Sequence, residues 1–365
     1  MEVSAQQRLR VRQLEDLPDP SGKAVLVRAT LDLPFGLGEH RPMASLRAEL
    51  LRETLHWLSG HGARVTVCGD LETTALADVK ALVDGLEPGV KVVGADRPAG
   101  DTSVEDPEIV AGLVATHDMF VNDSFQSSHQ ALPSLMLPAT RLPSAAGRSL
   151  QHDLGILERL IDTPERPLVA VIGGNQPYLR LHGLRGLVLR ADKVLVGGMM
   201  AIPFLQAIGK QPAGGAPEDF LAECRRVYGL GRSVQHDVVL PVDLTWMAAG
   251  GASEVTPAEV VGAGQVVDVG PVTRRSFAEL VEGAGTVLWL GSLGRTEVDP
   301  FSEGTRSVAA ALHPEDSLTI LGGDALVNLL HDGGDRAEQI SVLTATDAAL
   351  ELLKTGDLPA LVPLR

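Results

Sequence analysis

The sequence predicts an α/β protein built from two successive sets of parallel βαβ units. Short apolar segments rich in β-branched residues alternate with segments in which leucine recurs every three or four residues, almost from end to end. Strand followed by helix, repeated, is typical of parallel sheets with right-handed crossovers. In the second half, three predicted strands end in glycine pairs, at 173–174, 197–198 and 322–323.

The first half begins with KAVLVRAT (23–30), which is predicted to be a buried strand. The segment 45–58 follows and places five leucines on one face of a helix. The same alternation then predicts strands at 64–69, 90–95 and 118–123 and helices near 75–85 and 107–116.

A predicted helix at 149–162 separates the two halves. The segment TPERP follows it, and its two prolines end the helix and introduce the next strand. We therefore place the domain boundary there. The second half has predicted strands at 167–174, 192–198, 237–243, 266–270, 286–292, 318–323 and 340–343.

The composition is that of a globular protein with an acidic balance, 47 Asp plus Glu against 31 Lys plus Arg. This balance argues against a nucleic acid or an anionic membrane as a partner, because both require a basic face. The first twenty residues lack the apolar core of a signal peptide, and the longest apolar run contains Gly197, Gly198 and Pro203. The two cysteines match no metal-binding spacing. We expect a cytoplasmic protein with reduced thiols.

The segment VAVIGGNQPYL (169–179) has the order strand, glycine turn, helix start. That order builds a phosphate-binding cradle, because the first N–H groups of a helix point at the anion. A kinase is expected to place a lysine just after the glycines, but Asn175, Gln176 and Pro177 stand there.

Several segments, in order and at compatible spacing, resemble the phosphoglycerate kinase family. They are VLVRATLDLP, FVNDSFQSSHQA, PERPLVAVIGG, DKVLVGGMMAIPFL, LPVD, DVGP, LWLGSLGRTEVDPFSEGT and ALELLKTGDLPAL. The resemblance covers nearly the whole chain. It implies two doubly wound, Rossmann-like domains joined by a hinge helix, and the glycolytic reaction ATP + 3-phosphoglycerate ⇌ ADP + 1,3-bisphosphoglycerate.

The resemblance also implies domain limits. Residues 1–148 correspond to the phosphoglycerate-type domain, 149–164 to the hinge, 165–345 to the domain for the magnesium nucleotide, and 346–365 to a tail that returns to the first domain. We expect a monomer that takes a small phosphate-bearing ligand. Magnesium ATP or ADP is the implied cofactor if the nucleotide site survives.

Some residues of the family's site are retained. Arg47 matches the catalytic arginine, and Arg28, His129 and Arg166 match substrate-side residues; a purely structural role explains His129 equally well. Asp32 also stands at a substrate-binding position, although its residue type differs from that of the family. The implied nucleotide-binding residues are Gly173, Gly174, Arg180, Gly197, Gly198, Glu297, Gly322, Gly323 and Asp324, of which Asp324 is also the implied metal ligand.

Many other positions depart from the family. In the first half, Thr30 and Asp32 replace an aspartate and an asparagine, Asp70 and Thr73 a histidine and an arginine, and Gln130 an arginine. In the second half, Gln176 and Arg180 replace two lysines, Leu290 an asparagine, and Leu326 a residue expected to carry a hydroxyl. The predicted surface for a trianionic substrate is therefore much less positive.

The two remaining glycine motifs are also altered. LGGDAL is one residue short of the family's three glycines, so Asp324 is either the displaced metal ligand or a surrogate for it. Ala345, Thr346 and Asp347 stand where three glycines would form an anion nest, and Asp347 repels phosphate.

The lysines do not compensate for these losses. The chain has six, Lys23, Lys80, Lys91, Lys193, Lys210 and Lys354, and none falls at the carboxyl end of a predicted strand. We therefore predict that the family's reaction is lost or strongly impaired, as in a pseudoenzyme with a binding or regulatory role. Two alternatives stay open: a divergent phosphotransferase for another carboxylate or acyl phosphate, and an active phosphoglycerate kinase with rebuilt contacts.

Overall fold

The computed structural model describes residues 9–31, 42–70, 76–93, 105–210, 215–260, 264–330 and 339–365. The chain forms two compact units, Met1–Glu158 with Gly356–Arg365, and Arg159–Thr355. The segment 346–365, which the resemblance groups as one tail, is therefore divided between them, with residues 346–355 in the second unit. Asp32 and Thr73 lie outside the described residues.

The first unit has a parallel five-stranded sheet in the order β3-β2-β1-β4-β5. The order reverses between β1 and β4, which makes the sheet doubly wound. Its elements are β1 (Ala24–Thr30), α1 (Pro42–Gly60), β2 (Arg64–Asp70), α2 (Leu76–Leu86), β3 (Lys91–Val92), α3 (Pro107–Thr116), β4 (Met119–Asp123), α4 (Pro133–Arg141), β5 (Ser144–Ala146) and α5 (Arg148–Asp162), and the division between the units falls inside α5.

The core of the first unit forms because β1 is apolar on both faces and α1 presents one leucine face to it. Val25 and Val27 are fully buried, as are Leu55 and Leu58 of α1. The C-terminal 3₁₀ helix Pro359–Leu364 also packs in this unit, where Arg12 N–H donates to the Leu364 carbonyl over 2.8 Å.

The second unit has a parallel six-stranded sheet in the order β14-β13-β12-β6-β7-β8, which reverses between β6 and β12. Its elements are β6 (Leu168–Ile172), α6 (Pro177–Val188), β7 (Lys193–Val196), α7 (Gly198–Ala207), α8 (Glu218–Ser233), β8 (Asp237–Val239), β9 (Leu244–Ala248), β10 (Gly251–Val255), β11 (Gly264–Val269), α9 (Pro271–Glu282), β12 (Thr286–Leu290), α10 (Glu303–Ala309), β13 (Leu318–Gly322), α11 (Asp324–Leu330), β14 (Ser341–Leu343) and α12 (Thr346–Thr355). Among the described residues, no helix has the length and apolar character needed to cross a bilayer.

The second unit also contains a small antiparallel sheet that the sequence pattern does not predict. Its order is β10-β9-β11, so the predicted strand at 266–270 belongs here and not to the parallel sheet. β9 and β10 pair across a two-residue turn between Ala248 and Gly251. The predicted strand at 237–243 is reduced to β8 because the chain leaves the parallel sheet after Val239 to enter this hairpin.

Two helices of the second unit, α6 and α12, pack with their backbones close together. A Cβ atom at Gly183 would lie 2.5 Å from the Leu350 Cβ, and one at Gly186 would lie 2.5 Å from the Lys354 Cα. Both glycines are therefore required for this approach, and they explain why residues 346–355 belong to the second unit.

Candidate functional site

Two glycine turns meet where the strand order of the second unit reverses. Gly173 follows β6 and Gly291 follows β12, and the Gly173 N–H donates to the Leu290 carbonyl over 2.9 Å. The Gly174 N–H donates to the Ser292 carbonyl over 2.8 Å. A Cβ atom on Gly173 would lie 2.0 Å from the Ser292 carbonyl oxygen, so a larger residue cannot be accommodated there.

These turns open onto a cleft of about 680 Å³ at the carboxyl ends of the parallel strands, which we call the unit 2 cleft. This is the position at which open α/β sheets bind ligands. Apolar side chains form part of its wall: Met199, Ile202, Trp246, Val266 and Leu293.

Most of the residues that the resemblance implies for nucleotide binding reach this cleft. Those that line it are Gly174, Arg180, Gly198, Glu297, Gly323 and Asp324. Gly173, Gly197 and Gly322 belong to the same turns but do not line it. Leu290 is fully buried, so it too is outside the lining.

Arg180, in the first turn of α6, lies across the glycine turns. Its Nη1 donates to the Gly173 carbonyl over 2.9 Å and its Nη2 donates to the Thr346 hydroxyl over 3.3 Å. A Cβ atom on Gly291 would lie 2.7 Å from the same Nη1. Burial lowers the pKa of Arg180, and the neighbouring Asp347 carboxylate opposes that shift.

Asp347 stands in the first turn of α12, where the helix dipole favours a negative charge. Its Oδ1 is 3.6 Å from the Arg180 Nε, an ion pair longer than a hydrogen bond. The Arg180 side chain is 11% exposed and that of Asp347 is 44% exposed. The guanidinium therefore contacts a carboxylate of the chain itself.

The cleft lining carries more negative than positive side chains. Its cations are Arg180 and Arg295, and its carboxylates are Asp268, Glu297 and Asp324. Arg295 Nε donates to Glu297 Oε1 over 3.1 Å. A hydrogen bond from its own backbone N–H, together with the Arg295 ion pair, lowers the pKa of Glu297. Lysine is absent from these described lining residues.

Asp324 is the lining residue that best fits a magnesium ion. It is the first residue of α11, directly after the glycine turn that follows β13. Magnesium is a hard cation that proteins hold through one or two carboxylates, with waters and substrate phosphates completing the coordination. Asp324 fits that arrangement as a single carboxylate, and no group of three or more His, Cys, Asp or Glu side chains suited to a metal occurs among the described residues.

Asp268 lines the cleft and is also a buried structural carboxylate. It accepts hydrogen bonds from the Gly304 N–H over 2.7 Å and from Arg274 Nη2 over 3.1 Å. Burial raises its pKa to about 6, against the effect of these bonds. Sequence reasoning did not single out Asp268; the signal available was its place in DVGP, among the segments of the resemblance.

In the first unit, Arg28 is fully buried within β1 and its neighbours. Its Nε donates to the Ser134 hydroxyl over 3.0 Å, its Nη1 to the Ala29 carbonyl over 2.8 Å, and its Nη2 is 3.4 Å from Glu105 Oε1. These contacts hold Arg28 inside the first unit, and its expected contact with substrate stays a prediction.

The other residues expected on the substrate side occupy different surroundings. Arg47 is half-buried in the second turn of α1. His129 Nδ1 is 2.9 Å from the Gln126 carbonyl, a local turn contact. Arg166 precedes β6 and donates to Asp192, which precedes β7, over 2.9 Å. Arg166 therefore lies at the amino-terminal edge of its sheet, opposite the glycine turns, and is not part of the unit 2 cleft.

A second buried carboxylate, Asp123, ends β4 in the first unit. It is 2% exposed and accepts a hydrogen bond from the Ser149 N–H at the start of α5 over 2.8 Å. Burial raises its pKa to about 8, so the side chain is mostly protonated at neutral pH. A Cβ atom on Gly147 would lie 2.3 Å from its Oδ1.

The fold and the cleft define a two-unit, doubly wound α/β protein whose second unit has a ligand-type cleft at its strand ends. The phosphoglycerate kinase family profile matches residues 97–356. The chain belongs to the phosphoglycerate kinase family.

Curated relatives support the same assignment. The chain is 31% identical to phosphoglycerate kinase of Rubrobacter xylanophilus, over 97% of this chain and 98% of the relative. It is 31% identical to that of Thermus thermophilus, over 96% of this chain and 99% of the relative.

Solved structures agree on the fold. The structure of phosphoglycerate kinase from Coxiella burnetii is similar with a TM-score of 0.74 at 25% identity, covering 97% of this chain and 99% of that chain. That of Pyrococcus horikoshii has a TM-score of 0.78 at 20% identity, covering 97% and 98%.

Proposed function

We propose that this member of the phosphoglycerate kinase family binds a ligand through the unit 2 cleft, while the family's phosphoryl transfer is lost or strongly impaired. Phosphoryl transfer leaves a protein two main tasks, to position the reactants and to neutralise charge on the transferred group. The glycine turns and the apolar wall of the cleft can position a ligand. The cleft is poorly equipped to neutralise charge on a transferred phosphoryl group.

One observation carries this proposal: each cation of the described cleft lining is paired with a carboxylate of the chain. Arg180 faces Asp347 at 3.6 Å and Arg295 donates to Glu297 over 3.1 Å. A triphosphate in the cleft would therefore meet arginines whose charge is already balanced. Removing one preorganised donor of this kind typically lowers the rate by about 10²–10³-fold.

Three of the six lysines support the same proposal by their positions. Lys193 stands at the amino-terminal end of β7, where it pairs with Asp237, and Lys91 begins β3. Each of these two lysines lies at the amino-terminal end of a strand in its own sheet, away from the carboxyl ends where ligands bind. Lys354 lies in the last turn of α12 and pairs with Glu351.

A second candidate function, a phosphotransferase for a less anionic carboxylate or acyl phosphate, is favoured by Asp324 and Glu297. Glu297, which is retained, and Asp324, the displaced metal ligand or its surrogate, both line the cleft, and Asp324 fits a magnesium ion. Magnesium bound there would neutralise charge on the phosphates. Asp324 would hold it, while the glycine turns would orient the ligand.

The test measures turnover by the purified full chain, in both directions of the family's reaction, with a coupled assay. We expect no turnover above background, compared with roughly 1–100 s⁻¹ for ordinary kinases. Q176K restores one cation after the glycine pair. We expect it to leave turnover at background, because Asp347 and the paired arginines remain. R185K, at an exposed position of α6, the helix that begins one residue after Gln176, is the control.

The outcomes separate the candidates. Turnover of 3-phosphoglycerate at ordinary kinase rates would refute the proposal and support a rebuilt active kinase. Magnesium-dependent ATP consumption with another carboxylic acid, but not with 3-phosphoglycerate, would support the second candidate. Calorimetric binding of a ligand without turnover is the result that we expect.

A further inference from the structure

Arg180 and Asp347 form an ion pair within the second unit, with the Arg180 Nε 3.6 Å from the Asp347 Oδ1. Arg180 is the most enclosed cation of the cleft lining, and its fork is fixed by the Gly173 carbonyl and the Thr346 hydroxyl. The remaining nitrogen, Nε, is buried without a hydrogen-bond partner and lies 3.6 Å from the Asp347 Oδ1. Arginine forks of this kind are preferred partners of carboxylate and phosphate alike.

Asp347 is placed where an anionic ligand group would otherwise be favoured. It lies in the first turn of α12, whose unpaired N–H groups and dipole favour negative charge. Helix α12 is fixed against α6 through Gly183 and Gly186. The carboxylate is therefore held beside the guanidinium by the packing of the two helices.

We propose that Asp347 is a built-in anion that competes with ligand phosphate for Arg180, so that the unit 2 cleft selects nucleosides and nucleoside monophosphates over polyphosphates. This inference rests on the proposed function, because it takes the unit 2 cleft to be the binding site. It specifies the class of ligand that the cleft prefers and names Asp347 as the residue responsible for that preference.

The selectivity follows from charge and desolvation. A phosphate that reached Arg180 would have to share the guanidinium with a carboxylate at short range, and like charges repel strongly in a partly buried site. A ligand that binds mainly through an apolar ring against Trp246, Met199 and Ile202 places no negative charge beside Asp347 and avoids this repulsion.

The test is isothermal titration of the full chain with adenosine, AMP, ADP and inorganic tripolyphosphate, with and without Mg²⁺. The variant is D347N, because asparagine is well tolerated at the start of a helix and removes only the charge. The matched control is E351Q, which removes one negative charge one turn later on α12, where Glu351 pairs with Lys354. Melting temperatures of all three proteins check that they fold.

We expect the wild-type chain to bind adenosine at least as tightly as ADP. In D347N the affinity for ADP and tripolyphosphate should rise about tenfold while that for adenosine changes less than about twofold, as expected for one charge-assisted contact. E351Q should leave the ratio of ADP to adenosine affinity unchanged.

The inference is wrong if wild type binds ADP about tenfold more tightly than adenosine, if D347N leaves the ratio unchanged, or if E351Q shifts it equally. Absence of binding by both the wild type and D347N would also overturn it. The proposed loss of phosphoryl transfer is decided separately, by turnover, so the two failures are distinguishable.

Discussion

The carboxylate of Asp268 accepts a 2.7 Å hydrogen bond from the backbone N–H of Gly304, which lies 36 residues further along the chain. This bond joins the end of β11 to the first turn of α10. Gly294 and Gly304 leave room for the carboxylate, since a Cβ atom on either would lie within 2.5 Å of it. One buried side chain thus fixes the loop that carries Leu293 and Arg295 into the cleft.

We expect D268N to destabilise the protein by about 1–3 kcal/mol, because an amide NH₂ cannot replace the carboxylate oxygens that accept from the Gly304 and Val269 N–H groups, so a buried donor is left unpaired. The free energy of unfolding is measured by urea titration. D237N makes the same chemical change in an exposed pair with Lys193 and should cost less than about 1 kcal/mol. Equal losses in the two variants would contradict the structural role of Asp268.

We expect G173A to destabilise the second unit by about 1–3 kcal/mol, because its Cβ atom would meet the Ser292 carbonyl. G155A is the matched control: Gly155 lies inside α5 with nothing within 4 Å of an added Cβ. Alanine there should stabilise the protein by about 0.8–1 kcal/mol. Thermal unfolding should therefore show a lower melting temperature for G173A and a higher one for G155A. An unchanged melting temperature of G173A would show that the turns after β6 and β12 are further apart than described.

The stability of the protein should fall as the pH rises from about 6 to about 8. The pKa of Asp123 is raised from 3.8 to about 8 in the folded state, so over this range the folded state binds one proton more than the unfolded state. One such proton gives a slope of up to about 1.4 kcal/mol per pH unit. The measurement is urea unfolding at each pH.

D123N removes this titration, so its unfolding free energy should change less with pH than that of wild type. D84N, on the exposed face of α2, should keep the wild-type slope. Asp268 has a pKa of about 6, so its effect on the pH dependence of stability falls mainly below pH 6. A D123N slope equal to that of wild type would show that Asp123 is ionised throughout.

Arg12 anchors the C-terminal segment within the first unit. Its Nε donates to the Ser144 carbonyl over 2.8 Å, its Nη2 to the Pro363 carbonyl over 2.7 Å, and its Nη1 to the Arg365 carbonyl. We expect R12A to lose about 1.5–3 kcal/mol of stability and to raise amide exchange at Pro359–Leu364.

R52A is the control for that variant, because Arg52 pairs with Glu49 on the exposed surface of α1. It should leave amide exchange in the C-terminal segment unchanged. If R12A also leaves it unchanged, the backbone bond from Arg12 to Leu364 is sufficient to hold the segment.

The alternation of apolar strands with helices predicts both parallel sheets, because the central strands β1, β4, β6 and β12 are mainly apolar and almost entirely buried. It does not predict β9 and β10. β10 is mostly exposed, so it lacks the apolar signal of a parallel strand, and β5 has only three residues. Such elements form through hydrogen bonds to a neighbouring strand, and the periodicity of apolar residues does not show those bonds.

For the site, the glycine pairs correctly indicate the carboxyl ends of the strands, and Asp324 and Glu297 both reach the cleft. The sequence does not show that Arg180 contacts Asp347, because the two residues are far apart in the chain and meet through the close packing of α6 and α12. It also does not reveal that Arg28 is enclosed by Glu105 and Ser134.

The glycines at 183 and 186 constrain how this protein can change. Since α6 and α12 pack with their backbones close together, the first turn of α12 stays beside Arg180, whatever side chain residue 347 carries. Substitution of residue 347 is therefore the change that acts most directly on the charge beside Arg180.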